Sequence, residues 1–205
     1  MTEIKDDPVA KGLSGLESLV SRAGGTKKGM PPVEKWNPEF CGDLDMVIKS
    51  DGTWFYMGSP IGRHALVKLF SSVLRKDPDG KTYLVTPIEK IGITVEDAHF
   101  IVVEMNAHHK DGEQVITFRT NMDDVFEAGP ENPIRFVTVE GNEGVKPYVL
   151  VRGRLEGVLA RPVMYELIAH GEEIEVEGQR MFSVRSKGEV FPIMPADELA
   201  RRSVE

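Results

Sequence analysis

The chain predicts an α+β fold of two small modules, each carrying the same strand-helix-strand-strand motif within mostly antiparallel sheets. Three observations carry that prediction. Apolar residues alternate at period two in some segments, as over 114–120, and recur at spacings of three and four in others, as over 61–73. Glycine- and proline-based turn signals cut the chain into short pieces. The segment 155–193 also repeats the order of signals found in 36–93.

With 205 residues and 40% hydrophobic content, the chain is long enough to bury a core. A formal net charge of -8 argues against the broad basic face that grips duplex nucleic acid. The single cysteine, Cys41, excludes an intrachain disulfide and an all-cysteine metal cage, and a lone thiol beside nine methionines suits a reducing cytoplasm. The opening MTEIKDD is acidic where a secretory signal is basic, and no run approaches the ~20 apolar residues of a membrane span. The expectation is a cytoplasmic protein with neither membrane nor duplex nucleic acid as partner.

Residues 1–31 read as a flexible N-terminal arm with one short helix on Leu13, Leu16, Leu19 and Val20, ended by Gly24 and Gly25. Alternatively, that helix docks through its leucines. The first module spans 32–97. Residues 43–49 and 53–57 read as two strands joined at Asp51-Gly52, a pair that tolerates the positive φ of a two-residue hairpin. Ser59 is a candidate N-cap with Pro60 at the first helical position, and Ile61, Ala65, Leu66, Leu69, Phe70 and Val73 form the apolar stripe of a helix. Asp77 to Gly80 is a turn by composition, with short strands at 83–85 and 91–95 around Pro87.

The second module spans 98–195. Residues 100–105 form an apolar strand, AHHKDGE a hairpin, and 114–120 a strand with one buried face. Strands follow at 134–139 and 148–151, with GNEGVKP as a turn. An ungapped shift of ninety-eight positions then places Ile61 on Leu159, Arg63 on Arg161, Leu69 on Leu167 and Gly80 on Gly178. In this second copy Val163, Leu167 and Ile168 form the stripe, Pro162 lies in the first turn and Gly171 is read as the C-terminal stop. Residues 196–205 are a C-terminal tail with a short helix.

Chemistry is sparse. None of His64, His99, His108, His109 and His170 sits in a zinc-binding spacing, and His108-His109 is placed at a hairpin tip. Glu96, Asp97 and His99 form either an acid/base cluster or plain turn residues. Cys41 is a nucleophile only if a base approaches it. Asp43 and Asp45 share one strand face, which holds a cation or is simply solvated. No phosphate loop, GxSxG elbow or dinucleotide fingerprint is present. No catalytic residue, metal or cofactor is therefore expected. Arg63 and Arg161 fall at corresponding helix starts, where free N–H groups favour anions. With Ser59, Lys90 and Arg154 they define a candidate anion site between the modules, and Trp36, Trp54 and Tyr56 a stacking surface for a planar ring. The competing reading pairs these arginines with carboxylates.

KWNPEFCGDLDM, DGTW, SPIGR, VKLFSSVLR and LVTPIEK in combination resemble the bacterial family known as domain of unknown function 1285, densely over 31–100 and more thinly beyond. The resemblance implies a two-part α+β fold with a repeated motif and a second half of pleckstrin-homology type. It also implies a ligand site where the halves meet, a nucleotide-like ligand and a role in signalling, and it supplies no catalytic residues. The expected function is a non-enzymatic regulatory protein binding a small anionic, nucleotide-like ligand between its modules. A protein-interaction adaptor comes second. An enzyme using His99 with Glu96 or Asp97 comes third.

Overall fold

The computed structural model describes residues 17, 18, 20, 29–139 and 144–202, the last three by backbone alone. Leu13, Leu16, Leu19, Gly24 and Gly25 of the expected arm lie outside the described residues, as do 140–143 of the GNEGVKP turn. Glu17, Ser18 and Val20 are helical, and Val20 is buried. The chain divides into two compact units, 1–99 with 153–155, and 100–152 with 156–205.

In the first unit the elements are β1 (Phe40–Ile48), β2 (Trp54–Tyr56), β3 (Ser59–Pro60), α1 (His64–Ser71), β4 (Leu74–Lys76), β5 (Thr82–Val85) and β6 (Lys90–Val95). The strands form one sheet in the order β3-β2-β1-β6-β5-β4, antiparallel except where β1 runs parallel to β6. Met46, Ile48, Trp54, Phe70, Val73, Leu74, Leu84 and Val85 are enclosed as its core.

Two expectations are corrected here. Ser59 and Pro60 do not start the helix: Ser59 pairs with Tyr56 and Pro60 with Phe55 across a tight hairpin. Met57 and Gly58 close that hairpin with φ of 47° and 74°, so strand pairing captures the residues that resemble a cap. The helix begins at His64 behind Arg63, which provides no side-chain cap. The stripe shifts accordingly, with Leu66, Val67, Leu69 and Phe70 buried and Ala65 exposed. The Asp51-Gly52 pair, in turn, lies in a longer 49–53 connection, where only Gly52 has positive φ (83°) and the Lys49 N–H donates to the Thr53 carbonyl at 2.9 Å.

The second unit contains β7 (Phe100–Lys110), β8 (Glu113–Thr120), β9 (Val125–Glu127), β10 (Ile134–Thr138), β11 (Val145–Arg152), β12 (Leu155–Leu159), α2 (Arg161–Ala169), β13 (Glu172–Val176), β14 (Gln179–Ser186), β15 (Glu189–Pro195) and α3 (Ala196–Arg202). Six strands form a sheet in the order β10-β11-β12-β7-β8-β9, with β12 parallel to β7, and β13-β14-β15 form a second, antiparallel sheet. Val102, Ile116, Phe118, Val149, Leu167 and Val184 are among its core residues.

His108 and His109 are not at the hairpin tip: they pair with Val115 and Gln114, and Asp111-Gly112 makes the turn with φ of 55° and 86°. The same X-Gly device closes β13 to β14 at Glu177-Gly178 and β14 to β15 at Lys187-Gly188. Gly171 is not a left-handed stop, since its φ is not positive. A Cβ there would overlap the ring of Phe182, so space is what demands glycine.

The repeat is visible at the level of elements. Adding 98 to α1 gives 162–169 within α2, and adding it to β4, β5 and β6 gives 172–174 in β13, 180–183 in β14 and 188–193, which covers most of β15. Among the described residues, no helix is long and apolar enough to cross a membrane.

Candidate functional site

The first unit carries a cleft of about 370 Å³ over β1, β6, β5 and β4. That volume sits at the small end of the roughly 300–1,000 Å³ range typical of small-molecule sites. Its polar lining comes from scattered positions: Asp43 on β1, Lys76 at the end of β4, Lys81 after the turn, and Asp97 and His99 beyond β6.

Local structure explains how Asp43 comes to line it. Gly42 has φ of 101°, and the β1/β6 register shifts on either side of the Asp43–Gly92 pair. Such irregularities re-aim side chains. Gly92 then leaves the room: a Cβ at that position would overlap the Asp43 carboxylate. The Asp43 side chain has no hydrogen-bond or ion-pair partner among the described residues, and the same holds for Lys76 and Lys81.

Deeper in, His99 is 4% exposed and its Nε2 lies 3.0 Å from Thr82 Oγ1, an internally satisfied polar pair. Beside the cleft, the buried Arg75 guanidinium donates to both oxygens of Asp77 and to the carbonyls of Val33 and Trp36 at 2.9 and 2.6 Å. Lys90 reaches the same carboxylate at 3.3 Å and lies over the Tyr83 ring. Tyr83 donates to Asp79 at 2.6 Å, a bond that with burial pushes its hydroxyl up to about 12. These charges are consumed by structure, whereas Asp43, Lys76 and Lys81 make no side-chain hydrogen bond or ion pair among the described residues, although Lys81 attracts the Asp79 carboxylate through space.

Residues 31–98 match the N-terminal domain of DUF1285, a domain of unknown function, and residues 99–193 match the C-terminal domain of the same family. The chain belongs to the DUF1285 family. It is similar to a DUF1285 family protein from Silicibacter pomeroyi DSS-3, known from a crystal structure, at 43% identity and a TM-score of 0.79 over 89% of this chain and 98% of that one. A DUF1285 family protein from Shewanella baltica OS155 aligns at 22% identity and a TM-score of 0.48, over 62% of this chain and 91% of that one. No curated protein matches.

In this DUF1285 member the residues singled out from sequence are distributed over both units. Arg63 and Arg161 lie in different units; Arg63 donates to Glu17, and Arg161 is exposed at the first position of α2. Ser59 is exposed in β3. Trp54 offers no stacking surface, because it is 1% exposed and stacked on Phe70 inside the core, and Tyr56 is buried too. Trp36 and Lys90 do come together, through Arg75 and Asp77. Arg154 is exposed in the link between β11 and β12.

The Glu96–Asp97–His99 group divides. Glu96 accepts from Lys49 at 2.6 Å and from the Ser50 N–H at 3.1 Å, which hold its carboxyl below the usual range, while Asp97 and His99 line the cleft. Cys41 is exposed, and its thiol donates to the Glu39 carbonyl. No group of metal-ligating side chains occurs among the described residues. Sequence reasoning passed over Lys76, Lys81 and Gly92. A signal existed, because an isolated glycine in a strand pattern marks a close approach. The ninety-eight-residue shift also sets Lys76, Lys81 and Gly92 against Ile174, Gln179 and Val190.

Proposed function

We propose that this protein is a non-enzymatic regulatory module of the cytoplasm, acting in signalling, that binds a small anionic, nucleotide-like ligand in the cleft of its first unit. The observation that carries the reading is the state of Lys76 and Lys81. Both line the cleft and neither is paired among the described residues, whereas Lys49 is committed to Glu96 and Lys90 to Asp77. Two ammonium groups in a concave site concentrate positive potential where an anion can enter. The acid/base alternative has less support, since Glu96 is held by Lys49 and the His99 ring by Thr82.

Calorimetry of the full chain against a panel of nucleoside mono- and diphosphates tests the proposal. Binding is expected for wild type, with at least a tenfold loss in a Lys76→Ala/Lys81→Ala variant that keeps its thermal midpoint. A wild-type protein giving no heat with any member of the panel would refute it. Arg63→Ala is expected to leave binding unchanged, because that guanidinium is engaged by Glu17.

A further inference from the structure

The cleft holds carboxylates as well as ammonium groups, and that combination narrows the ligand. This step rests on the anion reading above. Asp43 and Asp97 line the same space as Lys76 and Lys81. A bare anion drawn in by the lysines is repelled by the two carboxylates, and at similar separations the terms offset one another. The balance changes for an anion that also carries hydroxyl groups. A carboxylate only accepts hydrogen bonds, and its charge makes those bonds stronger than neutral ones. Two adjacent hydroxyls can donate to its two oxygens, as acidic side chains do on ribose.

We infer that the ligand is a phosphate ester bearing vicinal hydroxyls, with its phosphate on Lys76 and Lys81 and its hydroxyls on the Asp43 carboxylate, and that Gly92 determines this specificity by leaving room for that carboxylate. The chemistry is shared by a free sugar phosphate and by the ribose phosphate of a nucleotide. The state of Asp43 supports the assignment: its carboxylate stands over Gly92 with no partner among the described residues, so its acceptor capacity is unspent. Gly92 is a positioning residue in this scheme, since its backbone fixes where Asp43 reaches without offering a side chain of its own.

Titration calorimetry on the full chain with ribose 5-phosphate, 2-deoxyribose 5-phosphate, adenosine 5′-monophosphate, its 2′-deoxy analogue and inorganic phosphate separates the outcomes. At least one hydroxylated ester is expected to bind tenfold or more tightly than its deoxy analogue and than inorganic phosphate. Ribose 5-phosphate binding unaided would point to a free sugar phosphate, and preference confined to the nucleotide pair would point to a nucleotide. Asp43→Asn and Gly92→Ala are each expected to abolish the hydroxyl preference while leaving weak phosphate binding. Equal affinity for deoxy and hydroxylated ligands overturns the inference and leaves the anion reading standing. Absence of binding by every anion overturns both. The wild-type comparison needs no variant, so a misfolded mutant does not shield the inference.

Discussion

Asp43 and Gly92 are register partners across the parallel β1/β6 pair, and the carboxylate of the first occupies the space that a Cβ on the second would fill. The obstacle to a side chain at 92 is thus the movable end of an aspartate, not backbone. Gly92→Ala should accordingly fold, at a cost of about 1–3 kcal/mol from the overpacking of one methyl group. In an Asp43→Ala background the same change should become neutral or stabilising, because alanine is favoured over glycine inside a strand by roughly 0.5–1 kcal/mol. Urea denaturation of the four proteins in that double-mutant cycle measures the coupling; identical Gly92→Ala effects in both backgrounds would remove Asp43 as the cause.

Arg75 ties the 33–36 segment to the sheet. Its removal leaves the carbonyls of Val33 and Trp36 without their donor and strips Asp77 of its bidentate partner. Truncation to alanine should cost about 3–5 kcal/mol, the range for breaking a buried ion pair by deleting one member. Arg75→Lys should recover only part of this, since an ammonium cannot reproduce the fork. The urea midpoint reads the loss, and proteolysis should move to residues 33–39. A midpoint unchanged in Arg75→Ala would show that this anchor is not needed.

Asp77 sets a pH dependence with a defined sign. Burial pushes its carboxyl up, but hydrogen bonds from Arg75 and then Lys90 outweigh it and hold the carboxyl below its usual value. A lowered folded value stabilises the protein above the unfolded carboxylate value of about 4. That contribution fades as pH falls through the lower folded value. Stability measured by urea from pH 7 to pH 2.5 should therefore drop less steeply at the acid end in Asp77→Asn than in wild type. Parallel acid limbs would contradict the assignment.

Trp54 and Phe70 stack at 6.5 Å within the core, yet the Trp54 indole N–H has no hydrogen-bond partner among the described residues. Trp54→Phe removes volume and also removes an unsatisfied donor, an orphan that itself costs about 1–3 kcal/mol. The net change should fall within about 1.5 kcal/mol, against roughly 3–5 kcal/mol for Phe70→Ala. Thermal unfolding of the two variants compares them; equal losses would mean that the orphan N–H carries no penalty.

Much of the architecture was legible because it is written locally. The Asp77–Gly80 turn, the strand at 114–120 and the order of turns and strands behind the ninety-eight-residue repeat all rest on local signals that reappear in the fold. The helix start was misread because Ser59-Pro60 satisfies capping chemistry and strand pairing equally well in one dimension. The Met57-Gly58 turn decides between them, and it uses the same X-Gly device as three other hairpins. Trp54 was misplaced for a related reason, since burial of an aromatic depends on what packs opposite, here Phe70. The cleft was the least legible part. Its charged residues lie at 43, 76, 81 and 97, with the His99 ring beside them, and a register shift in β1 decides which of them share a space. No periodicity encodes that shift.

The parallel pairs have a consequence for the order in which the chain assembles. Each six-stranded sheet is two runs of three consecutive strands joined at one parallel contact, β1 with β6 and β7 with β12. Within a run, loop closure is short and fast; the joining contact spans tens of residues and closes slowly. In the second sheet β7 waits for Leu155–Leu159, so a nascent chain ending at Arg152 carries an open β7 edge made of Phe100, Ile101 and Val102. Unprotected edges of that composition invite pairing between chains. A fragment ending at Arg152 should aggregate where one extended to Leu159 aggregates less, as light scattering during refolding would report. Equal scattering from the two would place the slow step elsewhere.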